Sequence, residues 1–160
     1  MKKIILFAIG VLTSVTIQAE NKIYTDGNGL RYQYDDTATE PRTATLINGP
    51  STSASEVAIL DKFPVLIGED YVDFIVTGIA SNAFKGNTKI KFLEIPATIE
   101  SIGNDAFSGC SNLSKLPSLS GLLSLGSYAF SGCSKLQDLK LPSSLTAIGN
   151  NAFNGCSNIR

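Results

Sequence analysis

The chain has 160 residues, 43% of them apolar and 17% charged, with a net charge of −1. That length suits one domain or a short array of repeats, and the composition excludes a disordered tail and a membrane-filling protein. The near-neutral balance gives no electrostatic ground for a nucleic acid or an anionic membrane as partner, and the lack of histidine removes the commonest general base and metal ligand.

Residues 1–19 have the layout of a secretory signal peptide. Met1-Lys2-Lys3 is a basic start, and residues 4–17 are an apolar run broken only by Gly10, Thr13, Ser14 and Thr16. Gln18-Ala19-Glu20 then puts a small residue before a polar one. The alternative is a membrane anchor, but the run falls short of the roughly 20 apolar residues that a spanning helix needs. Cleavage is expected after Ala19, with Ile17 larger than the usual residue near the cut. The mature chain, residues 20–160, would have no membrane span.

Asp26-Gly27-Asn28-Gly29 is a turn signal. It resembles the opening of a calcium loop but lacks that loop's later ligands and closing Glu, so it reads as a turn. Residues 30–34, LRYQY, alternate apolar and polar as a half-buried strand does. A polar connector with Pro41 follows. Residues 43–47 are a second β-prone run, closed by Asn48-Gly49-Pro50, and the two runs predict a hairpin. Residues 51–55 are a small polar linker. Val57, Ile59 and Leu60 then resemble the strand of a repeat, with Phe63 after them, and Tyr71, Phe74, Val76 and Ile79 lead into the first clear turn. Residues 20–78 are expected to cap the array, because the first coil of a stack presents an apolar end that a hairpin can cover. A separate function for this segment is the other reading.

From residue 79 the chain repeats. Residues 102–110, IGNDAFSGC, recur as residues 125–133, LGSYAFSGC, and as residues 148–156, IGNNAFNGC, with a weaker copy, IASNAFKGN, at 79–87. Phe84, Phe107, Phe130 and Phe153 are spaced by 23 residues each time. Such a fixed period marks a solenoid. The coils are 79–101, 102–124, 125–147 and a partial 148–160. Apolar columns run through them at Ile79/Ile102/Leu125/Ile148, Ala83/Ala106/Ala129/Ala152, the phenylalanine spine and Ile90/Leu113/Leu136/Ile159. Three more recur in the complete coils, Leu93/Leu116/Leu139, Ile95/Ser118/Leu141 and Ile99/Leu122/Leu145. Ser81, Asn104, Ser127 and Asn150 are suited to N-cap a short helical turn carrying each Ala-Phe pair. Gly86, Gly109, Gly132 and Gly155 suit the left-handed residue that ends it. Leu93-Glu94-Ile95 and Leu139-Lys140-Leu141 predict short parallel strands stopped by Pro96 and Pro142. Leu116-Pro117-Ser118-Leu119 predicts a distorted one. The fold class is therefore an α/β repeat solenoid with a small β cap.

Three cysteines in an exported chain can mean an intermolecular bridge. Cys110, Cys133 and Cys156 share one repeat position, however, and read as a buried ladder of free thiols. Coils about 5 Å apart would also bring two of them within bridging range. Without histidine or a CxxC spacing no zinc site is expected, and no cofactor is implied.

The motif Phe-x-Gly-Cys-Ser-x-Leu, followed by Leu-x-Leu-Pro-x-x-Leu-x-x-Ile-Gly, resembles the BspA-like leucine-rich repeat, and the 23-residue period matches it. The resemblance covers residues 79–159 firmly and 30–78 loosely. It implies a right-handed stack of coils in a secreted or surface-displayed bacterial protein that binds other proteins, in adhesion to host extracellular matrix or to cells. It brings no catalytic residues. Asn87 departs from the motif's Cys. A stack stopping at Arg160 would leave Leu139, Leu141 and a strand edge to water, so the chain is expected to be part of a longer array.

Catalytic arrangements are not evident. Ser-His-Asp and Cys-His sets are excluded without histidine, and no phosphate loop occurs. Asp35-Asp36 and Glu69-Asp70, near Asp73, read as solvated loop carboxylates rather than a glycosidase pair. The leading expectation is a non-catalytic binding module for proteins or glycans. Its contact row would be the outward strand positions Phe92, Glu94, Lys115, Pro117, Asp138 and Lys140, with exposed Phe92 as anchor. The alternative is a passive spacer in a longer surface protein whose working domain lies beyond Arg160.

Overall fold

The computed structural model describes residues 22–36, 40–49, 54–116 and 119–160. The expected leader, most of the polar linker and Pro117-Ser118 of the expected distorted strand lie outside the described residues. Among the described residues ten strands form: β1 (Lys22–Thr25), β2 (Arg31–Tyr34), β3 (Thr43–Asn48), β4 (Glu56–Ala58), β5 (Lys62–Ile67), β6 (Asp70–Ile79), β7 (Phe92–Glu94), β8 (Ser101–Ile102), β9 (Ser124–Leu125) and β10 (Ala147–Ile148).

The first three strands form an antiparallel meander. Asp26 builds the turn between β1 and β2. Its carboxylate accepts the amides of Asn28 at 2.8 Å and Leu30 at 2.9 Å, and its carbonyl accepts from Gly29 at 3.0 Å. This is the turn expected from Asp-Gly-Asn-Gly, closed by a side-chain mimic of a backbone turn. β2 buries Tyr32 and Tyr34 and β3 buries Ala44 and Leu46 by strict alternation. The predicted hairpin is β2–β3. Unexpected is the second hairpin, β5–β6, with β6 ten residues long. Val72, Phe74 and Val76 of β6 face inward, a register shift then brings Ile79 to the same face, and Tyr71 is 69% exposed. Tyr24, Tyr32, Tyr34, Phe63 and Phe74 pack as an aromatic cluster, with Phe63 stacked on Tyr24 at 4.4 Å.

β3 also starts a parallel ladder. Leu46 pairs with Ile79, Ile79 with Ile102, Ile102 with Leu125 and Leu125 with Ile148. The Ile column therefore begins one coil earlier than the repeats do. A second ladder pairs β4 with β7, so that Val57 stands beside Leu93. Val57 is thus the strand residue of a repeat, as its sequence suggests.

The Ala-Phe segments differ from expectation. No helix occurs among the described residues. Each segment is instead a chain of reverse turns that hydrogen-bonds to the next coil. The amides of Asn82, Phe84 and Gly86 donate to the carbonyls of Asn104, Ala106 and Ser108 at 3.0, 2.7 and 2.7 Å. Those of Ala83, Lys85 and Asn87 donate within their own coil, to Ala80, Asn82 and Phe84. The next two coils repeat the pattern. Left-handed φ values at Asn82, Asp105, Tyr128 and Asn151 turn alternate amides outward. The expected caps bridge coils too: Ser81 Oγ accepts from the Asn104 amide and Asn104 Oδ1 from the Ser127 amide.

Gly86, Gly109, Gly132 and Gly155 are left-handed, with φ of 73–77°. Gly103, Gly126 and Gly149 are needed for another reason. A Cβ on Gly126 would lie 2.5 Å from the amide nitrogen of Asn104, so side chains are excluded where coils touch. The phenylalanine rings stack at 4.9, 5.0 and 5.7 Å. The first two separations match the spacing of parallel strands. The Ile, Ala and Phe columns are buried in the first three coils. In the last, Ile148 is 53% exposed. The strand expected at Leu139-Lys140-Leu141 does not form: Asp138 takes a φ of 50°, the chain leaves the extended conformation, and Leu141 is 42% exposed.

Candidate functional site

Parallel pairing of β4 and β7 sets Glu56 beside Phe92 and Ala58 beside Glu94. In each strand the middle residue, Val57 or Leu93, is buried and its two neighbours face out. Phe92 also bridges in parallel to Lys115 of the next coil. The result is a row, Glu56–Phe92–Lys115, across three coils. Phe92 is 41% exposed. Beside it lies a hollow of about 310 Å³ lined by Asn28, Glu56, Val57, Ala58, Phe92 and Glu94. Asn28 reaches it from the turn between β1 and β2.

Of the row expected from sequence, the structure groups Phe92, Glu94 and Lys115. Asp138 and Lys140 are exposed but belong to no strand ladder. Asp138 lines a separate hollow of about 240 Å³ with Gln137, Asn158 and Arg160. Pro117 lies outside the described residues. The spine residues Phe84, Phe107 and Phe130 are buried, and Phe153 packs against the same core partly covered. Glu56, Ala58 and Asn28 were not anticipated. The signal for the first two was present: once Val57 reads as a repeat strand, its neighbours must face outward beside Phe92 and Glu94.

The cysteines are free thiols. Each donates to the phenylalanine carbonyl of the preceding coil: Cys110 to Phe84 at 3.1 Å, Cys133 to Phe107 at 3.2 Å and Cys156 to Phe130 at 3.0 Å. The residue is thus an inter-coil donor as well as a small apolar filler. Asn87 starts the column differently. Its side-chain oxygen accepts the amides of Lys89 and Ile90 in its own loop. Burial pushes the Cys110 thiol up to about 11. The neighbouring Cys156 thiol and burial push Cys133 up as well, while the neighbouring Cys133 thiol draws Cys156 down. No group of three or more Cys, Asp or Glu among the described residues is placed to hold a metal ion. No helix among them is long and apolar enough to cross a membrane.

Parallel ladders at a 23-residue register, with leucine, isoleucine and phenylalanine columns inside, define a repeat protein of the leucine-rich class. The chain belongs to the BspA type leucine rich repeat family, whose model, a repeat region of six copies, matches residues 77–160 of this chain. Among solved structures it is similar to a leucine rich cell surface protein from Faecalibacterium prausnitzii, with 27% identity and a TM-score of 0.69. That match covers 86% of this chain and 35% of the other, so the chain spans about a third of that relative's length. A leucine-rich repeat protein from Bacteroides capillosus shares the fold at 22% identity and a TM-score of 0.69, over 86% of this chain and 96% of its own. A leucine rich repeat protein from T. pallidum does so at 22% identity and a TM-score of 0.55, over 81% and 68%. No curated protein sequence matches the chain.

Proposed function

We propose that the chain is an exported, non-catalytic binding module that contacts proteins or glycans at the bacterial cell surface and serves adhesion. In this reading residues 1–19 are a cleaved leader, residues 20–78 cap the stack, and residues 79–160 continue it as right-handed coils. The observation that carries the reading is Phe92. A large aromatic is exposed on an inter-coil row, beside a hollow and between charged neighbours, which is the usual make-up of an interface anchor. The F. prausnitzii relative, described as a cell surface protein, supports the location. Asp138 and Lys140 would extend the contact on later coils.

A screen of the purified chain against matrix proteins, cell-surface proteins and glycans tests this. Phe92→Ala is expected to weaken a genuine hit at least tenfold, about 1.4 kcal/mol, and Lys140→Glu to weaken it less. No hit, or hits indifferent to both changes, would reduce the row to ordinary surface and favour a passive spacer.

A further inference from the structure

We propose that the hollow beside Phe92 receives a lysine or arginine side chain from an extended segment of a partner protein. This rests on the reading of the Phe92 face as the contact surface and names what that face selects. Four outward side chains, Glu56, Phe92, Ala58 and Glu94, form a two-by-two patch. Three are large and the fourth is a methyl group. The volume missing at Ala58 is the hollow, and Asn28 bounds it from the β1–β2 turn. Both charged groups that line it are carboxylates. The ion pairs among the described residues join Lys22 to Asp36, Arg42 to Glu40, Lys62 to Asp73 and Lys85 to Asp105. Glu56 and Glu94 therefore face the hollow with their charges unpaired, each next to the Phe92 ring, whose far flank carries Lys115.

That combination fits a side chain with an apolar stem and a cationic head. The methylenes of lysine or arginine can lie along Phe92 while the head meets the two carboxylates, and a cation beside the ring gains further from its quadrupole. An acidic side chain would meet two like charges. A purely apolar one would strip water from the carboxylates without replacing it. A neutral sugar could stack on Phe92 but would leave both charges unused.

The test is an amide nuclear magnetic resonance titration of the isotope-labelled chain with acetylated, amidated octalysine. Octaglutamate and maltohexaose serve as controls. Octalysine is expected to shift amides around residues 28, 56–58 and 92–94. Binding should weaken about tenfold in the Glu56→Gln/Glu94→Gln variant and in Ala58→Leu, which fills the hollow. Glu69→Gln/Asp70→Asn, with the same charge change at the exposed β5–β6 tip, should bind as the parent does. Equal loss in that variant, shifts spread over every acidic surface, or no shift would overturn the proposal. Shifts at these amides from maltohexaose or octaglutamate alone would overturn it in favour of a glycan or an anion. A screened partner lost on Phe92→Ala, with octalysine silent, would remove the cation but keep the binding face. Octalysine bound at the hollow beside a silent screen would keep the cation site and count against adhesion.

Discussion

Tyr128 is the residue most at odds with its position. It holds a φ of 57° in a column otherwise filled by Asn82, Asp105 and Asn151. Asn and Asp tolerate the left-handed region, whereas a bulky aromatic pays a steric cost there. The compensation is one exposed hydrogen bond from Asn151 Nδ2 to the Tyr128 hydroxyl. Tyr128→Asn is therefore expected to stabilise the chain by about 1 kcal/mol in urea denaturation. Two glycines separate space from conformation. Gly126→Ala would drive a Cβ into the Asn104 backbone and should cost about 2–3 kcal/mol. Gly132→Ala meets nothing closer than 3.6 Å but keeps a φ of +75°, and should cost about 1 kcal/mol. Equal losses would mean that coil contact imposes no constraint of its own. The thiols should differ as well. At pH 8, Ellman's reagent should reach half-buried, more acidic Cys156 well before Cys110 or Cys133.

At the scale of elements, the stacked rings carry the core of the repeats. Phe130→Ala removes a side chain that is 0% exposed, with a ring on either side, and should cost about 3–5 kcal/mol. Phe153→Ala, at a partly covered position with one stacked neighbour, should cost clearly less by the same urea denaturation. These columns are legible in sequence because side chains 23 residues apart do the same job. The turns around them are not. Ser81, Asn104, Ser127 or Asn150 two residues before each Ala-Phe pair has the local chemistry of a helix cap, but only the neighbouring coil reveals where the amides of the turn go. The row partner of Phe92 is hidden for a different reason. Val57 and Leu93 pair 36 residues apart, because the β5–β6 hairpin lies between them and breaks the period. β5 itself reads poorly: Lys62–Ile67, KFPVLI, contains a proline and no clean alternation. A hairpin is recognised there only through its partner strand.

Taken whole, the chain buries protonated groups that ionise at alkaline pH. Burial raises Cys110 from 9.0 to about 11, and burial raises Tyr24, Tyr32 and Tyr34 above their ordinary value. The folded chain holds these protons more tightly than the unfolded chain. Stability should thus be full below about pH 9 and fall as pH rises through 11, opposed among the described residues by the lowered Cys156. Urea midpoints measured from pH 7 to 11 check this, and a flat profile would mean that the buried groups contribute no linkage. The hydrogen bonds between Ala-Phe turns have a mechanical consequence too. They run from each coil to the next, so a force that separates the chain ends loads one interface at a time. Each coil set free releases 23 residues, an extension of about 75 Å. Stretched between two anchored points, the repeats would act as a chain of matched sacrificial links that lengthen stepwise before the rings of the N-terminal aromatic cluster part.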